Sequence, residues 1–304
     1  MSGNPVGSVE TAQPQHRVSA VVISRNDGAH LARCLTSLLQ DMASLSGTNT
    51  ITVVLNGCRD GSLSLAQRIA ATAPLPVHVH SLPLGDKANA INEYIHRFAP
   101  VAAMHVFVDG YAAVAPGSLA ALRAALQSDP KFNAATGLPT QGRSAAAARE
   151  QLARLGGLHG SLHALRGGFV ERLQQQHLHL PIGLYRGDGL MGSMAVWDLD
   201  PLAGHCDIGR VAMAPAATWT RPEYRLSDAP RLFRRRIRQK HGFWEVFAIQ
   251  QLILQGGYAA LPRCADEMLR DFLRDNAAMQ PRWNDVFGQL ALRQVRRGRL
   301  TSGG

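Results

Sequence analysis

The feature that most constrains this chain is an alternation of short β-branched runs, polar loops and helical stripes. It repeats four times in roughly the first 130 residues. Val18-Ser19-Ala20-Val21-Val22-Ile23 has the composition of a buried strand and is broken by Ser24-Arg25-Asn26-Asp27-Gly28. Leu31, Cys34, Leu35, Leu38 and Leu39 then recur at helical spacing. Ile51–Leu55 predicts a second strand, followed by the polar turn Asn56–Ser62 and a helix over roughly 63–72. Val77–His80 predicts a third strand, Lys87–Phe98 a third helix, and Met104–Val108 a fourth strand ending at Asp109-Gly110. This order predicts an α/β fold, a mostly parallel, doubly wound sheet flanked by helices. Ligands of such sheets sit beyond the carboxyl ends of the strands. Ser24–Gly28, Asn56–Ser62 and Asp109–Tyr111 all fall on that rim, so a nucleotide is expected there.

The second half is less regular. Ala145 to Gln175 reads as a long helical segment interrupted by Gly156-Gly157 and Gly167-Gly168, and Leu180–Gly189 as a glycine-dense loop. A further strand is expected to include Arg210–Met213. Near the C-terminus, Trp283, Val286, Phe287, Leu290 and Val295 make one apolar face, followed by Arg293, Arg296, Arg297 and Arg299. That is the pattern of a packing helix with cations at its C-terminal dipole; a membrane-surface helix is the alternative. Residues 1–16 are polar, without an apolar period, and read as a tail. The expected division is a nucleotide-sugar-binding half over 17–115, an acceptor-binding half over 116–262 and a helical C-terminal extension over 263–304.

Composition narrows the class. The chain is 46% hydrophobic and 18% charged, as folded proteins are. No stretch approaches the ~20 apolar residues of a membrane span, and the start lacks the pattern of a secretory signal. A cytoplasmic protein is expected, one that could touch the inner face of a membrane. Cys34, Cys58, Cys206 and Cys264 lie far apart with no C-x-x-C pair, so they read as buried small apolar residues. A net charge of +10 calls for an anionic partner. Aromatic content of 6% gives little support to stacking on single-stranded nucleic acid, which is not the expected partner.

Several residues are placed to carry chemistry. Asp109, after a buried strand and before Gly110, can approach a divalent ion bridging two phosphates, or simply form a turn. Asp188, between two glycines, can reach into a site as a general base, or again be a turn residue. Lys87 opens a helix, where the dipole disfavours a cation, so it is either solvated or paired with an anion. Asn89 and Asn92 could bind a ligand or cap that helix. Arg231, Arg234, Arg235 and Arg238 share one helical face and suit a phosphate, if they are not a solvated basic stripe. His159 and His163 are spaced to pair on a helix. No third ligand accompanies them, so a histidine metal site is not expected.

Together these segments resemble the inverting glycosyltransferases of the GT-A fold, in the large family 2 group, over residues 17–262. Val18–Arg33, VSAVVISRNDGAHLAR, resembles the family's opening strand, nucleotide loop and helix. Val53–Ser62, VVLNGCRDGS, is similar to its second-strand motif, with Asn-Gly-Cys for the commoner Asp-Gly-Ser. Gly85–Asn92, GDKANAIN, is similar to its lysine-bearing helix start, and Phe107–Tyr111, FVDGY, lies where its Asp-x-Asp metal motif belongs. Gly187–Leu190 occupies the place of the catalytic-base aspartate, and Arg234–Gly242 resembles the basic motif facing the diphosphate.

The resemblance implies transfer of a sugar, with inversion, from a nucleotide-sugar donor, UDP-linked in the expected case, to an acceptor hydroxyl. Asp188 would be the base. Ser24, Arg25, Asn26, Asp27, Asn56 and Lys87 would hold the nucleotide, and Arg234, Arg235 and Arg238 would face the departing diphosphate. Asp109 would hold the divalent cation, Mn²⁺ or Mg²⁺. Tyr111 stands in place of the second metal-motif aspartate, so Asp109 would share the ion with diphosphate and water. The acceptor is open among lipid-linked, saccharide, peptide and small-molecule classes. Two other readings stand beside this one: a nucleotidyltransferase, and a non-catalytic basic protein binding nucleic acid or an anionic membrane.

Overall fold

The computed structural model describes residues 17–141, 145–222 and 229–298. The expected tail over 1–16 and Arg299 lie outside the described residues. Four strands form the first half of the sheet: β1 (Val18–Ser24), β2 (Thr50–Asn56), β3 (Val77–Leu82) and β4 (Met104–Asp109). They lie side by side in the order β3-β2-β1-β4, all parallel. Between them run α1 (Ala29–Ala43), α2 (Ser62–Thr72) and α3 (Lys87–Glu93), the last continued by a π turn over Tyr94–Phe98. The sheet grows past β4 through β7 (Leu162–Arg166), β6 (Ala134–Gly137) and β8 (Val211–Ala214) to seven strands. Only β7 runs against the rest, as antiparallel partner of both β4 and β6. A separate small ladder pairs β5 (Ala113–Val114) with β9 (Trp219–Thr220).

The β-branched runs are unbroken because both faces of the sheet are covered. Successive side chains point to opposite faces. Ala20, Val22, Val53, Leu55, Val106 and Val108 therefore pack on α1, α2 and α4 (Ser118–Gln127). Val21, Ile23, Val54 and Phe107 face the other layer. That layer holds α3, α6 (Gly167–Gln175), α7 (Gly187–Val196) and three helices of the C-terminal region. These are α8 (Ala229–Gly256), α9 (Ala265–Asp275) and α10 (Val286–Arg296). Among the described residues no helix is long and apolar enough to cross a membrane.

Several sequence expectations change. The segment 145–175 is not one interrupted helix: α5 (Ala145–Leu155) and α6 flank strand β7. Gly167 is not a helix interruption but a close approach, since a Cβ there would collide with the Ala102 carbonyl oxygen. Asp188 sits in the first turn of α7, not in a loop. Of the cysteines, only Cys34 is buried; Cys58 and Cys264 are half-buried and Cys206 is exposed. Near the C-terminus, α10 packs through Ala291, Leu292 and Val295, whereas Trp283 and Val286 point outward.

Candidate active site

Parallel register brings the polar strand ends together. Ile23 pairs with Val54 on one side and Asp109 on the other, so Ser24, Asn56 and Asp109 finish on one rim. The loop after β1 is held from within: the Ser24 hydroxyl (2.8 Å) and the Arg25 amide (3.1 Å) both donate to Asp27 Oδ2. Burial pushes the Asp27 carboxyl above its ordinary pKa. Asn26 takes a left-handed backbone (φ 55°), and its Oδ1 accepts from the Arg59 amide at 2.7 Å. That bond ties the first loop to the second. The Arg25 guanidinium lies against Gly85 and donates to its carbonyl. Burial and the nearby Arg238 lower its pKa. Asn56 is buried, and its Oδ1 has no hydrogen-bond partner among the described residues. An orphaned buried acceptor is costly unless a ligand donor meets it.

Asp109 is the hub. Lys87 Nζ donates to its Oδ1, while the hydroxyls of Tyr111 (2.7 Å) and Ser161 (3.2 Å) donate to Oδ2. Lys87 at the start of α3 is thus paired rather than solvated. Burial works against its charge, but Asp109 and then Asp188 outweigh that and hold its pKa above the ordinary lysine value. The second acidic position of an Asp-x-Asp pair is here a phenol that donates to the first carboxylate. Among the described residues no group of three or more His, Cys, Asp or Glu side chains is placed to hold a metal. One carboxylate still fits the way Mg²⁺ is commonly held, with substrate phosphates and water completing the shell.

Asp188 arrives from the far half of the chain. A Cβ built on Gly160 would lie 3.0 Å from Asp188 Oδ2 and 3.4 Å from Lys87 Nζ, so the bare glycine lets these groups approach. Lys87, Asp109, Asp188, Gly160 and His163 line a recess of about 10 Å³, room for one water-sized sphere. His159 and His163 are not on a helix: the first lies in the turn before β7 and the second on the strand. Nδ1 of His163 donates to the His159 carbonyl at 3.0 Å, and its ring stacks on Phe107. Burial pulls the His163 pKa down to about 4, so the ring is neutral.

Of the four arginines sharing a helical face, two have aromatic neighbours here. The Arg231 guanidinium lies 5.9 Å from the Tyr111 ring centroid and that of Arg238 lies 5.2 Å from Tyr185. Arg234 and Arg235 are exposed on the turn between them. Asn92 does not face the rim, since its amide holds both backbone groups of Leu180 (2.8 and 2.9 Å). Helix α3 is capped by Asp86, not by Asn89.

Sequence reading missed two carboxylates that hold the Asp188 segment in place. Asp86 accepts from the Asn89 amide (2.8 Å) and, with its other oxygen, from the Gly183 amide (3.0 Å). Glu245, fully buried on α8, accepts from the Tyr185 (2.9 Å) and Arg186 (3.1 Å) amides. Burial pushes the Glu245 pKa up to about 7. Its one sequence signal was its place as the sole acid in a 28-residue helix rich in arginine.

A parallel sheet with Asp109 and Lys87 at its carboxyl rim, met by Asp188 from a second layer, defines the GT-A type of sugar-transferase fold. Solved structures with this architecture agree over most of the chain. The mannosyltransferase PcManGT from Pyrobaculum calidifontis, in complex with GDP-Man and Mn²⁺, is 19% identical. The match has a TM-score of 0.61 and covers 96% of this chain and 78% of that one. S. aureus TarS 1-349 in complex with UDP-GlcNAc is 13% identical, with a TM-score of 0.55 over 94% of this chain and 81% of that one. Glucosyl-3-phosphoglycerate synthase from Mycobacterium tuberculosis, with Mn²⁺, UDP-Glc and phosphoglyceric acid, is 15% identical. It gives a TM-score of 0.54 over 75% of this chain and 78% of that one. No curated protein sequence matches the chain. The chain belongs to the family described as glycosyltransferase like family 2, which it matches over residues 14–187. It is a glycosyltransferase, and the nucleotidyltransferase and non-catalytic readings fall away.

Proposed function

We propose that this glycosyltransferase moves a sugar from a UDP-linked donor to an acceptor hydroxyl with inversion, and that Asp188 is the general base. The observation that carries the reading is the meeting of Asp188, Lys87 and Asp109 around Gly160. It sets a carboxylate from the 116–262 half beside the cation and carboxylate of the 17–115 half. In the proposed step the acceptor oxygen attacks the anomeric carbon as its proton passes to the Asp188 carboxylate. The bond from that carbon to the diphosphate oxygen breaks, and its electron pair leaves with the diphosphate. Lys87 and Arg238 stabilise that charge, aided by Arg234 and Arg235 when donor binding draws them in. A divalent ion, Mn²⁺ or Mg²⁺, would be held by Asp109 together with the diphosphate. It would supply further neutralisation of the same oxygens.

Ser24, Arg25, Asn26 and Asp27 form the nucleotide loop. The unpartnered Asn56 carbonyl suits an imide N–H of the base, which uracil offers. Guanine also carries a ring N–H, and PcManGT was solved with GDP-Man. Calorimetric titration with UDP and with GDP, each with and without Mn²⁺, separates these cases. Micromolar UDP binding that tightens with Mn²⁺, loses that tightening in Asp109→Asn and weakens in Asn56→Ala is the expected outcome. Tighter GDP binding would reassign the base, and no binding of either nucleotide would overturn the reading.

A further inference from the structure

Each oxygen of the Asp109 carboxylate can accept about two hydrogen bonds. On Oδ2 both places are filled, by the hydroxyls of Tyr111 at 2.7 Å and Ser161 at 3.2 Å. Those hydroxyls lie 3.1 Å from each other and so brace one another on that oxygen. Oδ1 accepts from Lys87 Nζ, which also donates to the Gly160 carbonyl at 3.3 Å. The side of Asp109 that is open to a cation is therefore already taken by an ammonium. The two partners are unevenly enclosed, with the Asp109 side chain 11% exposed and that of Lys87 39%. A carboxylate so enclosed needs a cation beside it, whereas the lysine has a path outward.

We infer that Lys87 is a placeholder for the divalent ion, and that the donor diphosphate opens the ion's site by drawing Lys87 off Asp109. An ammonium and a divalent ion crowded on one carboxylate oxygen repel each other strongly. The ion therefore reaches Oδ1 only as Lys87 leaves it. A diphosphate gives the lysine somewhere to go, because its oxygens carry the charge that Asp109 supplied. The helix start itself stays in place. Asp86 caps α3 through the Asn89 amide and is tied by its other oxygen to the Gly183 amide, so only the lysine side chain has to swing. Each ligand then favours the other. The ion frees Lys87 for the diphosphate, the diphosphate frees Asp109 for the ion, and the coupling is reciprocal. The inference rests on the transferase reading in giving Asp109 to the ion and Lys87 to the diphosphate.

The test is Mn²⁺ binding to the full chain by electron paramagnetic resonance, with and without UDP, beside calorimetric UDP binding without metal. Wild-type protein should bind Mn²⁺ alone roughly a hundredfold more weakly than with UDP. Lys87→Met should tighten binding of Mn²⁺ alone about tenfold or more. The same variant should weaken metal-free UDP binding about tenfold, through loss of a charge-assisted contact. Opposite signs on the two ligands mark a placeholder, since a loosened site would weaken both. Lys87→Arg keeps the charge and should hold Mn²⁺ alone near the wild-type affinity. Arg238→Met removes a charge near Lys87 but outside the pair, and should leave that affinity within about threefold. Should Lys87→Met melt well below wild type, Lys87→Gln takes its place with the same expected signs. Binding of Mn²⁺ alone that is unchanged or weaker without Lys87 would overturn the inference. So would wild-type Mn²⁺ binding that UDP does not strengthen, or equal tightening in Arg238→Met. Wild-type UDP binding without the Lys87 effect removes the placeholder alone, whereas no UDP binding removes the transferase reading and the inference with it.

Discussion

The rim built by the ends of β1, β2 and β4 and the wall built by α7 and α8 meet at Gly160, yet they are held by different kinds of contact. On the rim, residues near in sequence or on neighbouring strand ends bond to one another: Ser24 to Asp27, Asn26 to Arg59, Tyr111 to Asp109. Parallel pairing alone delivers them. On the wall, Asp188 owes its position to partners far along the chain. Glu245 holds the turn before it by the Tyr185 and Arg186 amides, and Asp86 holds Gly183. The rim is a pre-formed cradle, whereas the wall is a tethered arm. Donor affinity should therefore tolerate substitutions of Asp188 and its tethers that destroy turnover, though not of the α8 arginines proposed to face the diphosphate.

The strongest way to break that contrast is Asp188→Asn. Turnover should fall about a thousandfold, within the range for loss of a general base, while the donor dissociation constant stays within a factor of about two or three. Steady-state kinetics beside calorimetry checks both, and a parallel loss of donor binding would show the arm to be part of the cradle. Next in size is Glu245→Ala. It leaves the part-buried Tyr185 and Arg186 amides without their acceptor and should cost roughly 1–3 kcal/mol in stability by denaturant unfolding. Its sharper mark is a larger loss in acceptor KM and kcat than in donor binding. Gly160→Ala places a methyl 3.0 Å from the Asp188 carboxylate. It should lower kcat about tenfold with little change in melting temperature, because only the arm has to move.

The smallest effect is a pH slope. Burial lowers His105, His163 and His241 to about 4, so between roughly 6.5 and 4 the unfolded chain binds protons that these rings refuse. Stability contributed by the three is present above 6.5 and is lost as pH falls. Glu245, raised to about 7, acts in the opposite sense, taking a proton in the folded state between about 7 and 4.5. Three sites outweigh one, so unfolding free energy should fall as pH drops from 6.5 to 4.5. Glu245→Gln should steepen that fall, which urea titrations across the range would register.

The four parallel strands and their rim are legible in the sequence. Each β-branched run from Val18 to Val108 ends in its own polar loop, and parallel strands put all such ends on one side. Lys87, standing where a helix dipole disfavours it, left two readings open, solvated or paired with an anion, and Asp109 is its partner in the free protein. Beyond β4 the arrangement follows from packing between distant segments. Glycines that looked like helix breaks serve a strand and a close approach: Gly167 leaves room for the Ala102 carbonyl, and Gly160 for the Asp188 carboxylate. A glycine needed for space and a glycine needed for a turn look alike in one dimension. Likewise, the spacing of the arginines on α8 showed that they share a face, but not that Arg231 and Arg238 lie over Tyr111 and Tyr185. Nor could it show that the phenylalanines of the same helix remain outside the core. Periodicity states which residues go together; which side the rest of the chain covers is settled by packing among distant segments.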